Sequence, residues 1–268
     1  MPSPHTPDNW TESSARYDAN LADFTAQYSE ALLHRAELEP GHSVLEVAAG
    51  SGALSAQLAP RVGSLLCTDY SEGMLDLLRD KLGEHDHVRI RQMDGMKLDL
   101  EDGRFDRALC QFGIMLFDDP SAGMRELCRV LVPGGRAVLS GWAGPDRFES
   151  FGVFSRAVQL AAPDLPTPVG RSPVFSLSEP AEFEQMLLDA GFRSAKVEYV
   201  THRFEPESID WMVEVFTTSA PPARLLLDSV GPVVAGRIRD AMRSILEERF
   251  GEGPISLSNS ATVGVGVR

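Results

Sequence analysis

VLEVAAGSG, Val44 to Gly52, decides how this chain is read. SVLEVA (43–48) is a nearly unbroken apolar run and predicts a fully buried strand. It passes directly into Gly50-Ser51-Gly52 and then into a helix carrying Leu54 and Leu58. A strand that ends in a glycine turn at a helix start builds a ligand cradle at the carboxyl end of a sheet. Gly50 and Gly52 let the backbone approach a ligand with no Cβ in the way.

Outward from this segment the chain alternates strands and helices. Before it, Leu21, Phe24, Tyr28, Leu32 and Leu33 recur at helical steps between Trp10 and about Leu38, and Pro40-Gly41 stops that helix. After it come SLLCTD (64–69), a helix with Met74, Leu75, Leu78 and Leu82 on one face and Ser71 as its N-cap, then VRIRQMD (88–94) and FDRALCQF (105–112). Asp119-Pro120 opens a helix bearing Met124, Leu127, Cys128 and Leu131, and Pro133-Gly134-Gly135 turns the chain into RAVLSGW (136–142). Apolar strands alternating with helices imply a parallel sheet covered on both faces.

The rhythm then changes. Pro163, Pro166, Pro168, Pro173 and Pro180 mark an insertion with little regular structure. A helix with Ser178 as cap and Phe183, Met186, Leu187 and Ala190 on one face follows, ended by Gly191, and then the strand AKVEYVTHRF (195–204). Residues 206–250 read as helical with breaks at Pro221-Pro222 and Gly231-Pro232. ISLSNSATVGVGV (255–267) alternates with period two, as an antiparallel strand near an edge does. The expected fold is α/β: a doubly wound, mostly parallel seven-stranded sheet with a helical cap. Its parts are a helical lid (1–38), the α/β core (39–142), a cap insertion (143–177), a return to the core (178–205), a second helical cap segment (206–252) and a terminal antiparallel strand (253–268).

The chain has 268 residues, with 25 Lys and Arg against 39 Asp and Glu, a formal charge of −14. That balance argues against a nucleic-acid partner, whose affinity rests on neutralising phosphates. Cys67, Cys110 and Cys128 lie far apart and read as buried, reduced thiols of a cytoplasmic protein. No stretch approaches a membrane span, the first residues carry no secretory pattern, and residues 1–8 read as loose. His85 and His87 read as a surface turn, so no metal is expected. The partner expected is a small molecule, with a homodimer left open.

Two acids follow the glycine turn in register. Asp69 ends the second strand, seventeen positions after Gly52, where a carboxylate can accept both hydroxyl protons of a ribose; Asp94 ends the third strand. A dinucleotide site wants Gly-x-Gly-x-x-Gly, and Gly50-Ser51-Gly52 is followed by Ala53, Leu54 and Ser55. Glu46 would repel a pyrophosphate but suits a positively charged amino-acid moiety, directly or by orienting the loop. The pattern favours S-adenosylmethionine over a dinucleotide.

VLEVAAGSG, TDYSEGML (68–75), QMDG (92–95), FDRALCQFGIMLFDD (105–119) and RVLVPGGRAVL (129–139) together resemble the class I S-adenosylmethionine-dependent methyltransferases, in the branch of quinone C-methyltransferases and small-molecule methyltransferases. The resemblance covers residues 40–142 well and 178–204 with the terminal strand more loosely. It departs at Ala48, where the family's first motif has glycine. The resemblance implies that Glu46 and the backbone of Ala48, Gly50 and Gly52 hold the methionine portion of the cofactor. It implies Asp69 on the ribose, Tyr70 and Met74 against the adenine, and Asp94 on the adenine amino group with Gly95 and Met96 beside it. Gln111 and Phe112 would face the sulfonium and the substrate mouth, with Tyr17, a further cofactor contact, and Tyr28 as lid residues.

Tyr28, Phe112, Met115, Trp142, Trp211 and Phe216 are the candidates for lining the acceptor side, and the apolar content of the cap points to a hydrophobic metabolite of specialised metabolism. No His–Asp or Lys–Asp pair stands out as a base; Tyr17, Tyr28, Gln111 and His202 are the only candidates for a catalytic role. The alternatives are an enzyme on this scaffold that cyclises without net methylation, a cofactor-binding regulator without turnover and, more distantly, a dehydrogenase.

Overall fold

The apolar runs read above become seven strands of one sheet: β1 (Ser43–Val47), β2 (Ser64–Asp69), β3 (Val88–Gln92), β4 (Phe105–Gln111), β5 (Leu131–Trp142), β6 (Ser194–Phe204) and β7 (Leu257–Val267). Their order is β3-β2-β1-β4-β5-β7-β6. The first five run parallel, and β7 is antiparallel to both β5 and β6. This is a computed structural model describing residues 6–83, 85–165, 173–219 and 221–268. The loose segment expected for the first residues lies outside them up to residue 5, as do Pro166 and Pro168 of the proline-rich insertion.

The helices are α1 (Pro7–Asn20), α2 (Ala22–Ala26), α3 (Ser29–Ala36), α4 (Ser55–Leu58), α5 (Glu72–Leu82), α6 (Pro120–Val130), α7 (Glu149–Ala161), α8 (Pro180–Asp189), α9 (Ile209–Thr218) and α10 (Pro221–Phe250), the last broken where Gly231 takes φ +78° ahead of Pro232. The sheet buries both faces. Leu32, Leu58, Leu75 and Leu78 of α3, α4 and α5 cover one, and Met124, Leu127, Phe183 and Leu187 of α6 and α8 cover the other. Ser71 accepts a hydrogen bond from the Met74 amide and Asp119 from the Ala122 amide, so both expected caps form. All three cysteines are free and buried.

Four expectations change. The single N-terminal helix is three short ones, because the chain turns at Leu21 and again at Gln27-Tyr28, where Tyr28 drops fully into the core. Glu179, not Ser178, occupies the cap position of α8; it makes no side-chain cap bond, and Pro180 at the first turn needs no partner for a missing N–H. β7 is not at an edge but between β5 and β6, and β6 forms the edge. Its small residues serve packing: a Cβ on Gly264 would approach Phe183 to 2.9 Å, and one on Gly266 would approach Phe192 to 2.7 Å. Finally, the first cap insertion holds a thirteen-residue helix, α7. Val153, Phe154 and Val158 of α7 pack against Met212, Ile238 and Met242 of α9 and α10, giving the cap a core of its own.

Candidate active site

The cleft opens at the carboxyl ends of β1, β2, β3 and β4, under α1. Its wall includes Ala48 and Gly50 from the glycine turn, Asp69 at the end of β2 and Tyr70 after it, Met74 of α5, Asp94, Gly95 and Met96 after β3, and Gln111 and Phe112 at the end of β4. Tyr17 lines it from above. Gly50 sits at φ +56° with open space where a Cβ would stand, so its backbone is bare to the cleft. Phe117 lines the cleft too, and sequence reading missed Trp10, Val47, Met93, Gly113, Leu116 and Asp118. Trp10 had a signal: it lies seven residues before Tyr17, two helical turns along one face, and their rings meet edge to face at 5.7 Å.

Asp69 is the anchor. The Gly50 amide donates to Oδ2 and the Ser71 amide to Oδ1, each at 2.9 Å, which fixes the carboxyl in its plane. Burial raises its pKa to about 6, with the backbone donors pulling against that. Asp94 is exposed; its Oδ1 accepts from the Met96 amide at 2.8 Å. Tyr70, Met74, Met93, Met96 and Phe117 supply flat or polarisable apolar surface between the two acids. Two acids, an uncovered backbone turn and an apolar slot suit a nucleoside whose diol and exocyclic amine need acceptors. The residues present fit S-adenosylmethionine.

Glu46 is turned the other way. It is 2% exposed on the opposite face of β1, where Ser55 Oγ donates to it at 2.5 Å and Cys67 Sγ at 3.7 Å. It does not line the cleft, and burial raises its pKa to about 8, so near neutrality it is mostly uncharged. A direct contact with the cofactor's cationic end is therefore replaced by a structural role behind the loop. Gly52 also stays out of the cleft: at φ +92° it passes α5 so closely that a Cβ would stand 2.5 Å from Leu78 Cδ1.

A family model described as "Methyltransferase domain" matches residues 45–139. A demethylmenaquinone methyltransferase of Deinococcus radiodurans is 32% identical over 63% of this chain and 73% of its own length. The chain belongs to the class I S-adenosylmethionine-dependent methyltransferases. Another relative with the same name, from Corynebacterium kroppenstedtii, is 36% identical over 44% of this chain and 49% of its own, so the chain spans about half of that relative's length. Among solved structures, the YcgJ protein of Bacillus subtilis superimposes with TM-score 0.60 at 19% identity, covering 90% of this chain and 98% of that one. A Haemonchus contortus phosphoethanolamine N-methyltransferase, solved with S-adenosylhomocysteine, gives TM-score 0.56 at 16% identity, over 90% of this chain and 52% of that one. These two likenesses are of fold.

The residues expected on the acceptor side divide. Phe112 lines the cleft, at φ +55°, a left-handed conformation costly for a side chain of that size. Trp142 does not reach the cleft but stacks on Phe112 at 3.9 Å. Tyr28 is no lid residue: it is fully buried, and its hydroxyl donates to the Asn259 carbonyl at 2.7 Å. His202 lies against the Tyr28 ring at 4.8 Å, away from the cleft wall. Met115 is buried in the core, and Trp211 and Phe216 belong to the cap's own core.

Gln111 reaches the cleft, yet its side chain is engaged: Nε2 donates to the Thr25 carbonyl at 2.6 Å, and Oε1 accepts from Ser29 Oγ at 2.9 Å. It ties the N-terminal helices to β4. Tyr17 lies within 3.4 Å of Thr25 Oγ1 through its hydroxyl. No helix among the described residues is long and apolar enough to cross a membrane.

Proposed function

We propose that this chain transfers the methyl group of S-adenosylmethionine to a small, largely hydrophobic acceptor. The observation that carries the reading is the wall formed by Gln111 and Phe112: it closes the cofactor cleft on one side and, through the Phe112–Trp142 stack, begins an aromatic layer on the other. Bound there, the cofactor would supply an electrophilic methyl group on a sulfonium. The chain's part is geometric. Asp69, Asp94 and the glycine turn hold the donor, and the layer beyond Phe112 orients the acceptor, whose attacking atom must come to roughly 3–3.5 Å in line with the leaving sulfur.

The phenols offer no base near neutrality. Burial raises the pKa of both Tyr17 and Tyr28, and the Tyr28 hydroxyl is already donating. This favours an acceptor that arrives nucleophilic, such as a phenol, an enol or an electron-rich ring carbon. The relatives named demethylmenaquinone methyltransferase support an aromatic acceptor more than the specialised metabolite first expected. The test is incubation with S-adenosylmethionine and a panel of aromatic and aliphatic acceptors, read by product mass. Aromatic products heavier by one methyl unit support the reading; products of unchanged mass favour cyclisation, and no product with bound cofactor favours a regulator.

A further inference from the structure

We infer that Thr11 and Gly73 are positioning residues for the cofactor: Thr11 of α1 seats in the notch that Gly73 leaves in α5, and this docking holds Trp10 and Tyr17 as a roof that must lift for the cofactor to enter or leave. The device acts on the cofactor and is independent of the acceptor.

Gly73 is the second residue of α5 and takes no left-handed φ, so the helix itself does not require glycine there, and glycine is a poor helix residue. What requires it is α1. A Cβ on Gly73 would stand 2.9 Å from Thr11 Cγ2 and 3.0 Å from both Thr11 Cα and the Thr11 carbonyl oxygen. The Gly73 amide donates to Thr11 Oγ1 at 3.4 Å, and the Thr11 and Ser71 hydroxyls share a hydrogen bond of 3.0 Å. Thr11 thus serves the first turn of another helix, whose amides lack partners within α5. Ser71 is fully buried, and its amide is one of the two that hold the Asp69 carboxyl.

About two turns further along both helices, Lys81 of α5 donates to Asp18 of α1 at 2.5 Å. Thr11 and Asp18 therefore mark the face of α1 that runs along α5. Trp10 and Tyr17, each one residue before them, line the cleft, so the seating of α1 on α5 sets where both rings stand. With α1 docked, Asp69 is only 6% exposed, and a ribose reaches it when the roof lifts. Lifting releases little apolar surface: the buried residues of α1 are two serines, Ser13 and Ser14, whereas leucines lock α3 and α5. α1 meets α10 through Glu12 and Arg224 at 3.8 Å and α2 through Tyr17 and Thr25 at 3.4 Å, both long contacts. α2 stays tied to β4 through Thr25 and Gln111, so the bend falls at Leu21, between α1 and α2.

The test uses the full chain with S-adenosylhomocysteine as the probe, read by surface plasmon resonance and by hydrogen exchange of residues 7–20. In the wild type the probe should slow exchange in α1. Gly73→Ala suits the helix but fills the notch; it should raise the dissociation rate about tenfold with association no slower, as for a roof that opens more often. Thr11→Val keeps the side-chain shape and removes the hydroxyl, and should speed dissociation in the same way. Thr11→Ser should bring the rate back to within about twofold of the wild type, which a general loss of packing would not do. Exchange in α1 unmoved by the probe, Gly73→Ala or Thr11→Val releasing it at the wild-type rate, or Thr11→Ser as fast as Thr11→Val would each overturn the inference. A wild type that binds no S-adenosylhomocysteine would instead overturn the assignment of the cleft to this cofactor.

Discussion

Gly113 faces the methyl group of Ala48 with no room for a side chain between them: a Cβ built on Gly113 would collide with Ala48 Cβ and press on Cys110 Sγ at 3.0 Å. Ala48 stands where the family's first motif has glycine, and it holds φ +55°. The missing Cβ at position 113 makes the extra one at position 48 tolerable. Gly113→Ala should therefore destabilise the fold by about 1–3 kcal/mol through overpacking. The same change in an Ala48→Gly background should cost much less, with a coupling above about 0.5 kcal/mol in urea unfolding.

Asp69→Ala should weaken S-adenosylhomocysteine binding roughly ten- to a hundredfold, as expected for loss of a charge-assisted hydrogen bond of about 1.5–3 kcal/mol. The carboxylate is the form that accepts, and its pKa is about 6. Affinity in the wild type should then be constant above pH 7 and fall as the pH drops through 6, while the variant shows no such inflection. Calorimetry across pH 5–8 reads both.

Glu46 makes stability depend on pH in the direction opposite to that of a salt-bridged acid. Its folded pKa, about 8, lies above the ordinary value of 4.5, so the folded state binds the proton more tightly than the unfolded one. Its contribution is fully present below about pH 4.5 and is lost as the pH rises towards 8. Glu46→Gln, which still accepts from Ser55, should match the wild type below about pH 4.5, exceed its Tm increasingly up to about pH 8, and keep a constant margin above that. Asp69 contributes the same slope lower down, from its ordinary 3.8 to about 6, and leaves a residual decline in the variant. Thermal melts at matched ionic strength check this.

Phe216 packs on Phe154 at 5.5 Å within the cap core, not on the cleft wall. Phe216→Ala should lower stability by about 2 kcal/mol, less than the 3–5 kcal/mol of a fully buried ring because Phe216 is only half-buried. Cofactor affinity should not change. Chemical unfolding and calorimetry on one preparation separate the two effects.

The sequence alone determined the sheet's first five strands, the glycine turn and the two acids after it, because apolar runs, glycine at a turn and an acid at a strand end are local signals. Tyr70, Met74 and Met96 were placed near the cleft by the family resemblance, not by any local signal of their own, and they do line it. Only the tertiary structure decided which way Glu46 points. Side chains alternate along a strand, and where both faces are buried nothing in VLEV says which face meets a ligand. It alone engaged Gln111 with Thr25 and Ser29, 86 and 82 residues away along the chain. It likewise withdrew Trp211 and Phe216 into a separate core, because α7 and α10 are distant in sequence and an apolar helix face does not name its partner. And it brought Asn259 Oδ1 to the Ser150 amide, 109 residues away along the chain, a contact that β7 and the start of α7 create together.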